Sequence, residues 1–457
     1  MNSRLSRFLE GVINICMIQE NMMNEKLQIP ETRESASDVR VTRPGTPIVS
    51  PTPLQPARWS AHRRRSAWLL LVLLLLGMGT IFALSNSSSW FSRQRDGIQP
   101  DTSPALSRTR QPISPSVITA KGQFREYPLP QSDSQPMRLA IDHEGRIWFG
   151  EMGRNYLAAF DPRGQTFQQM IPPHGRNGVM SIQVAPDDTI WFVEQYANYI
   201  GHYFPTTRHY QIYPLPRLTI PDPGHAGKTL SLPSAPNELA LDSHGAVWFT
   251  EFNSDTLGRL DPHTGLMQHY PLSTTRSIQT LYPYGVTVDP GGMVWFTEMS
   301  NNRIGRLDPA TGRVRFFTAP GPGIPLMEIA CDSHGIIWAT AFSAGLLLRL
   351  DPGTGTFTRY SVPFASKGVD GLYGLLVTPT GNVWVTLLDA GALVRLDVAA
   401  NQFVFYRLPV GSSPLGLVMK GNQTLWFTEG DKIGMLHPND DDQSSKRVQN
   451  IPITSNR

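Results

Sequence analysis

The sequence predicts an all-β fold, a seven-bladed β-propeller, preceded by a single transmembrane helix and a flexible linker. Three observations carry that prediction. A tryptophan-centred motif recurs seven times, at Trp148, Trp191, Trp248, Trp295, Trp338, Trp384 and Trp426. The chain holds 39 Gly and 39 Pro in 457 residues, which suits many short strands joined by tight turns. One uninterrupted apolar run, residues 67–84, stands near the N-terminus. A composition of 40% hydrophobic and 17% charged residues supports a large core and excludes a mostly disordered chain. Two cysteines exclude a disulfide scaffold, and no glycine period supports collagen.

Residues 1–65 read as a basic, largely disordered tail, with ten Lys/Arg against six Asp/Glu. The span at 66–85 follows. About 18 apolar residues at a rise of about 1.5 Å cover roughly one bilayer core. His62-Arg63-Arg64-Arg65 abuts its N-terminal end, so the positive-inside rule places the tail in the cytoplasm and the rest of the chain outside. The expected location is the cell membrane, crossed once. Ala83-Leu84-Ser85 has the small-residue character of a cleavage site, but a 65-residue n-region is too long for a signal peptide. Residues 86–121 are Ser/Pro-rich and read as a linker. Cys16 and Cys331 fall on opposite sides of the membrane in this reading and cannot pair within one molecule. Cys331 reads as a small buried hydrophobe.

Residues 122–438 are the propeller, and 439–457 a C-terminal tail. Successive motif tryptophans lie 43, 57, 47, 43, 46 and 42 residues apart, the range of propeller blades. Each unit runs in one order: an apolar strand, a turn, the Trp strand, a strand closing on a turn such as GRLDPHTG, and a strand ending in an aromatic–Pro signature. In those turns Asp opens, Pro presets φ and Gly takes the left-handed position. Four short strands cannot bury their faces alone, but seven units around an axis can. The region opens with a fourth-type strand at 124–130 and its last unit stops after the third, so 124–130 is expected to close the ring. Residues 448–453 resemble the same strand and compete for that place.

At these residues the sequence resembles the streptogramin lyase family, the virginiamycin B lyase-like propellers. The motif is P-x-G-(I/V)-T, then W-F-T-E, then N-x-I-G-R-L. It stands here as Pro283-Tyr284-Gly285-Val286-Thr287, Trp295-Phe296-Thr297-Glu298 and Asn302-Arg303-Ile304-Gly305-Arg306-Leu307. The resemblance implies the propeller fold and metal-assisted elimination at the ester of a cyclic depsipeptide. It also implies a His base fourteen residues before a motif Glu that helps to hold Mg²⁺. Such a base takes a proton beside a carbonyl while the cation stabilises the enolate. This chain departs from the pattern at that position, which holds Met137, Met180, Asn237, Tyr284, Met327, Tyr373 and Leu415. His174 and His225 lie in neighbouring loops, off the family spacing, and are the candidates for a relocated base.

The loops that precede each first strand and follow each second strand share one rim, here called the top. The motif glutamates gather there: Glu151, Glu194, Glu251, Glu298 and Glu429. Asn155, Asn198, Asp255 and Asn302 each follow four residues after one of them. Two readings stand: a ring of oxygen ligands for Mg²⁺ or Ca²⁺, or side chains that each hold their own loop. In the fifth and sixth units the Glu position becomes Ala341 and Leu387, within AFSAGLLL and LLDAGALV. That asymmetry predicts either an apolar wall or tighter packing there. Tyr196, Tyr282, Tyr284 and Tyr373, with Asn237 and Asn302, are the expected ligand-pocket residues. Residues 217–237 form an insertion over the same rim and carry His225 and Lys228.

The mildly acidic propeller argues against nucleic acid. The readings are therefore a membrane-tethered propeller binding a small molecule or a protein on its top face, a carbon–oxygen lyase with a relocated base, or a lactonase-like metal hydrolase.

Overall fold

Each repeat folds as an antiparallel sheet because its apolar residues alternate along strands of five to seven residues separated by Asp-, Pro- and Gly-bearing turns. The computed structural model describes residues 108–109, 115–173, 178–221, 227–272, 281–321, 324–365, 371–421 and 424–439. The basic tail, the apolar span and residues 448–453 lie outside them. Blade 3 shows the pattern, with strands Pro236–Leu241, Val247–Glu251, Thr256–Leu260 and Met267–Pro271 paired in that order. Seven such sheets follow one another, their inner strands beginning at Pro136, Val179, Pro236, Pro283, Leu326, Leu372 and Pro414.

The ring closes as the strand order requires. Gly122–Pro128 pairs antiparallel with Lys432–Pro438, so blade 7 takes its outer strand from the N-terminal side. The seam it completes buries Phe149, Phe160, Trp426 and Ile433.

The motif residues have distinct packing tasks. The tryptophan face of one blade packs on the phenylalanine face of the next: Trp248 and Leu257 of blade 3 meet Val286, Val294 and Phe296 of blade 4. The indole donates to the aspartate that opens the preceding turn, as from Trp148 to Asp142 (2.7 Å) and from Trp295 to Asp289 (2.7 Å). An arginine of the third strand covers several of these rings, Arg306 lying 5.7 Å from the Trp295 centroid. The glycine of I-G-R-L leaves room for the motif phenylalanine, since a Cβ on Gly305 would collide with the Phe296 ring.

One expectation changes. Within the stretch read as linker, Ser116–Thr119 adds as a fifth strand, parallel to Gln402–Arg407 of blade 6. Arg108–Thr109 does the same against Thr356–Ser361 of blade 5. The unpaired outer edge of each blade offers backbone partners that composition does not reveal, and Val117 and Ile118 pack on the adjoining cores.

Candidate functional site

Every inner strand carries a bulge, with two of its residues set against one of the Trp strand. The bulged pairs are Met137-Arg138, Met180-Ser181, Asn237-Glu238, Tyr284-Gly285, Met327-Glu328, Tyr373-Gly374 and Leu415-Gly416. The threonine of W-F-T-E holds the bulge in place. Thr297 Oγ1 accepts from Gly285 N–H (2.9 Å) and donates to the Met327 carbonyl of the next blade (2.5 Å). Thr428 repeats this across the closing seam, accepting from Gly416 N–H (3.0 Å) and donating to the Met137 carbonyl (2.6 Å).

The first residue of each bulged pair occupies the position where the resemblance places a histidine. All seven are 2% exposed or less. The Tyr284 and Tyr373 hydroxyls, from blades 4 and 6, meet at 2.8 Å. Asn237 Nδ2 donates to the Tyr284 carbonyl (3.1 Å), and Gln195 Nε2 donates to Asn237 Oδ1 (3.3 Å). These three expected pocket residues therefore form closed internal contacts rather than walls of an open mouth.

The second residue of the pair supplies a cluster that motif reading missed. Arg138 of blade 1 reaches Glu238 of blade 3 (3.1 Å) and Glu328 of blade 5 (2.5 Å). All three are at most 8% exposed. The Nε–Glu238 approach is an ion pair without hydrogen-bond alignment, and Nη1 has no partner. Burial raises both carboxyls above their ordinary range, opposed by the single guanidinium. One cation thus serves two acids. Burial also pushes Tyr373 up to about 12. The signal was present in the sequence: PMRLAID, PNELALD and LMEIACD carry charges where other repeats have Gly or Ser.

The motif glutamates do stand at one rim, each paired with the first residue of an inner strand, as Glu251 is with Pro236. They do not converge. Glu151 Oε1 accepts from Gln169 Nε2 (2.6 Å), and Glu251 Oε1 lies 2.6 Å from His269 Nδ1. Arg303 Nε and Nη2 both reach Glu298 Oε2 at 2.8 Å. Glu429 is buried, its proton affinity raised by burial and by Glu126, which in turn accepts from Lys432 (2.7 Å). Each partner comes from the outer strands of the same blade. Two of the five, Glu194 and Glu429, are buried with both oxygens lacking a hydrogen-bond partner, and burial alone pushes the Glu194 carboxyl up to about 8. Blade 2 offers Ile212 at the register where blades 1 and 3 offer Gln169 and His269.

Among the described residues no three His, Cys, Asp or Glu side chains come together as a metal site. A divalent cation asks for several convergent oxygens, and here the carboxylates are directed into separate blades. The donor set does not fit the expected Mg²⁺ or Ca²⁺ ring.

Asn155, Asn198, Asp255 and Asn302 owe their repetition to the turn, each taking a positive φ of 50–63°. Asn302 Nδ2 donates to the carbonyls of Ala319 (2.8 Å) and Gly321 (2.5 Å), so this expected pocket residue holds its own blade's outgoing loop. Tyr196 and Tyr282 are half-buried at the rim, the latter with φ 50° and its ring 5.1 Å from Phe252. In blades 5 and 6 the apolar loop residues turn inward. Phe342, Leu347, Leu348, Leu387, Leu388 and Leu393 are all buried, which is the tighter-packing alternative. His174 and His225 lie outside the described residues.

Comparison with known proteins adds the following. Residues 225–372 match the model of the Virginiamycin B lyase family. That stretch spans blades 3 to 5. Comparison with curated proteins gives no significant match. Among solved structures, a streptogramin B lyase is 24% identical, with a TM-score of 0.61 over 70% of this chain and 98% of its own. A catalytically inactive virginiamycin B lyase from Staphylococcus aureus with quinupristin is 24% identical, TM-score 0.60, over 69% and 99%. The extracellular domain of a proposed hybrid two-component system from B. thetaiotaomicron is 18% identical, TM-score 0.51, over 68% and 42%. At these identities the likeness is one of fold.

Proposed function

We propose that this chain is a membrane-anchored, extracytoplasmic propeller that binds a small molecule or protein partner on its top rim and performs no elimination. The observation that carries this reading is the bulge ring. All seven positions available to the family's base hold buried Met, Asn, Tyr or Leu side chains, and Tyr284 is bonded to both Tyr373 and Asn237. The glutamates that would accompany a cation are directed into their own blades. The anchor rests on the apolar run at 67–84 and its flanking arginines. A propeller of this shape serving as an extracellular domain elsewhere is consistent with that placement.

The test is incubation of the full chain in detergent micelles with quinupristin and Mg²⁺, followed by chromatography and mass analysis. Unchanged quinupristin is the expected result. An isomer of equal mass and new retention time would signal elimination, and a gain of one water would signal hydrolysis. Either product, if it also disappears in Glu298→Gln, overturns the proposal.

A further inference from the structure

The insertion between blades 2 and 3 forms a hairpin of its own, Arg217–Pro221 paired antiparallel with Thr229–Pro233. It is a separate two-stranded sheet, its strands hydrogen-bonded to each other and to no other described strand. Its feet are clamped to the top rim. Asn198 Nδ2 donates to the carbonyls of Leu215 (3.0 Å) and Pro216 (3.1 Å) at one foot. Asn198 Oδ1 accepts from Ser234 Oγ (3.1 Å) and Ala235 N–H (3.1 Å) at the other. Asn253 adds a bond to the Pro233 carbonyl (3.1 Å). One asparagine therefore grips both ends of the insertion.

The hairpin has an apolar side. Leu218 and Leu232 are directly opposed, and Leu230 lies two residues further along the same side. Leu230 is 37% exposed, and Leu218 and Leu232 are half-buried. Two strands with open edges and an uncovered apolar side are marginal in water, and a third strand stabilises them. Three partly covered leucines fall well short of the ~800 Å² per partner that a stable dimer buries, which disfavours a second copy of this chain. A short extended segment needs much less. The molecule already uses this mode twice, adding Arg108–Thr109 and Ser116–Thr119 to the open edges of blades 5 and 6.

We propose that the hairpin is a strand-addition arm that captures an extended peptide segment of a partner, apolar at every second residue. Main-chain bonds to an open edge supply affinity, and the leucine side selects alternating apolar residues. Residues 217–233 carry Arg217 and Lys228, both exposed, against the single acid Asp222, so the arm keeps a net positive charge and an acidic flank on the peptide is favoured. This deepens the top-rim binding reading and rests on it.

The experiment measures fluorescence anisotropy of the full chain in detergent micelles with a labelled octapeptide of alternating threonine and valine, ending in aspartate. A second peptide is N-methylated at alternate amides, which removes main-chain donors and keeps the side chains. Saturable binding of the first, weakened about tenfold or more by N-methylation and by Leu230→Asp, is expected. Leu230 is exposed, so its replacement leaves the blades intact, and an unchanged unfolding midpoint verifies this. No binding, equal binding of both peptides, or wild-type binding by Leu230→Asp overturns the arm. Product formation from quinupristin would instead overturn the non-catalytic reading and leave these peptide results to be judged alone.

Discussion

Replacing Glu194 by glutamine reads out a motif glutamate whose two oxygens its blade leaves unpartnered. The carboxyl is fully buried, neither oxygen has a partner, and burial pushes it from an ordinary 4.5 to about 8. A folded-state value above the unfolded one gives stability that is complete at low pH and lost as pH rises from the unfolded value through the folded one. At about 1.4 kcal/mol per pH unit, the acid costs the folded state about 3 kcal/mol at pH 7 and roughly 5 kcal/mol by pH 9. Glutamine keeps the shape and removes the titration. Its unmatched amide costs about 1–3 kcal/mol at every pH. Glu194→Gln is therefore less stable than wild type near pH 5, and the difference moves in the variant's favour by roughly 3–4 kcal/mol by pH 8. Guanidinium unfolding followed by tryptophan fluorescence measures this, since the motif tryptophans lie in the blade seams. A difference that stays flat between those pH values would refute the assignment of Glu194 as a buried neutral acid.

Four further outcomes are expected. Arg138→Met leaves Glu238 and Glu328 without their cation and destabilises by about 3–5 kcal/mol in the same unfolding assay, whereas adding Glu238→Gln and Glu328→Gln restores most of the loss. Thr428→Val removes the hydroxyl that joins blade 7 to Met137 of blade 1 and costs about 1–2 kcal/mol, read as faster hydrogen exchange at that seam. His269 titrates above its ordinary range because Glu251 holds its protonated form. Its contribution is present below the ordinary histidine range and lost as pH rises through the raised folded value, so the Tm gap between wild type and His269→Ala narrows as pH rises. Replacing Val117 and Ile118 with aspartate detaches the added strand from blade 6 and exposes the residues around 116–119 to proteolysis, with the seven blades intact.

The architecture was legible because it is written seven times. Trp295, Phe296, Thr297 and Gly305 each perform a task that recurs with the blade, so their period reports the fold. The same repetition hid the site. Glu151, Glu251 and Glu298 look alike in sequence, yet one meets Gln169, another His269 and the third Arg303. Those partners come from neighbouring strands, whose register a motif does not contain. Departures from the repeat were the better guide, and Arg138, Glu238 and Glu328 were visible as charges at a position otherwise held by Gly or Ser.

By itself, the amino-acid sequence determined the number of blades and the absence of the family histidine from its expected place, and it left two segments competing to close the ring until the structure paired Gly122–Pro128 with Lys432–Pro438. Blade number and the missing histidine follow from spacing and residue identity alone. Tertiary structure decided what the remaining polar groups do. It directed the glutamates into their blades, brought Arg138 between acids roughly 100 and 190 residues away, and raised a clamped hairpin from an insertion that composition showed only as a loop. The physical reason is that bulges and closure of the ring set the direction of each side chain, and direction settles whether a carboxylate meets a cation, an amide or nothing.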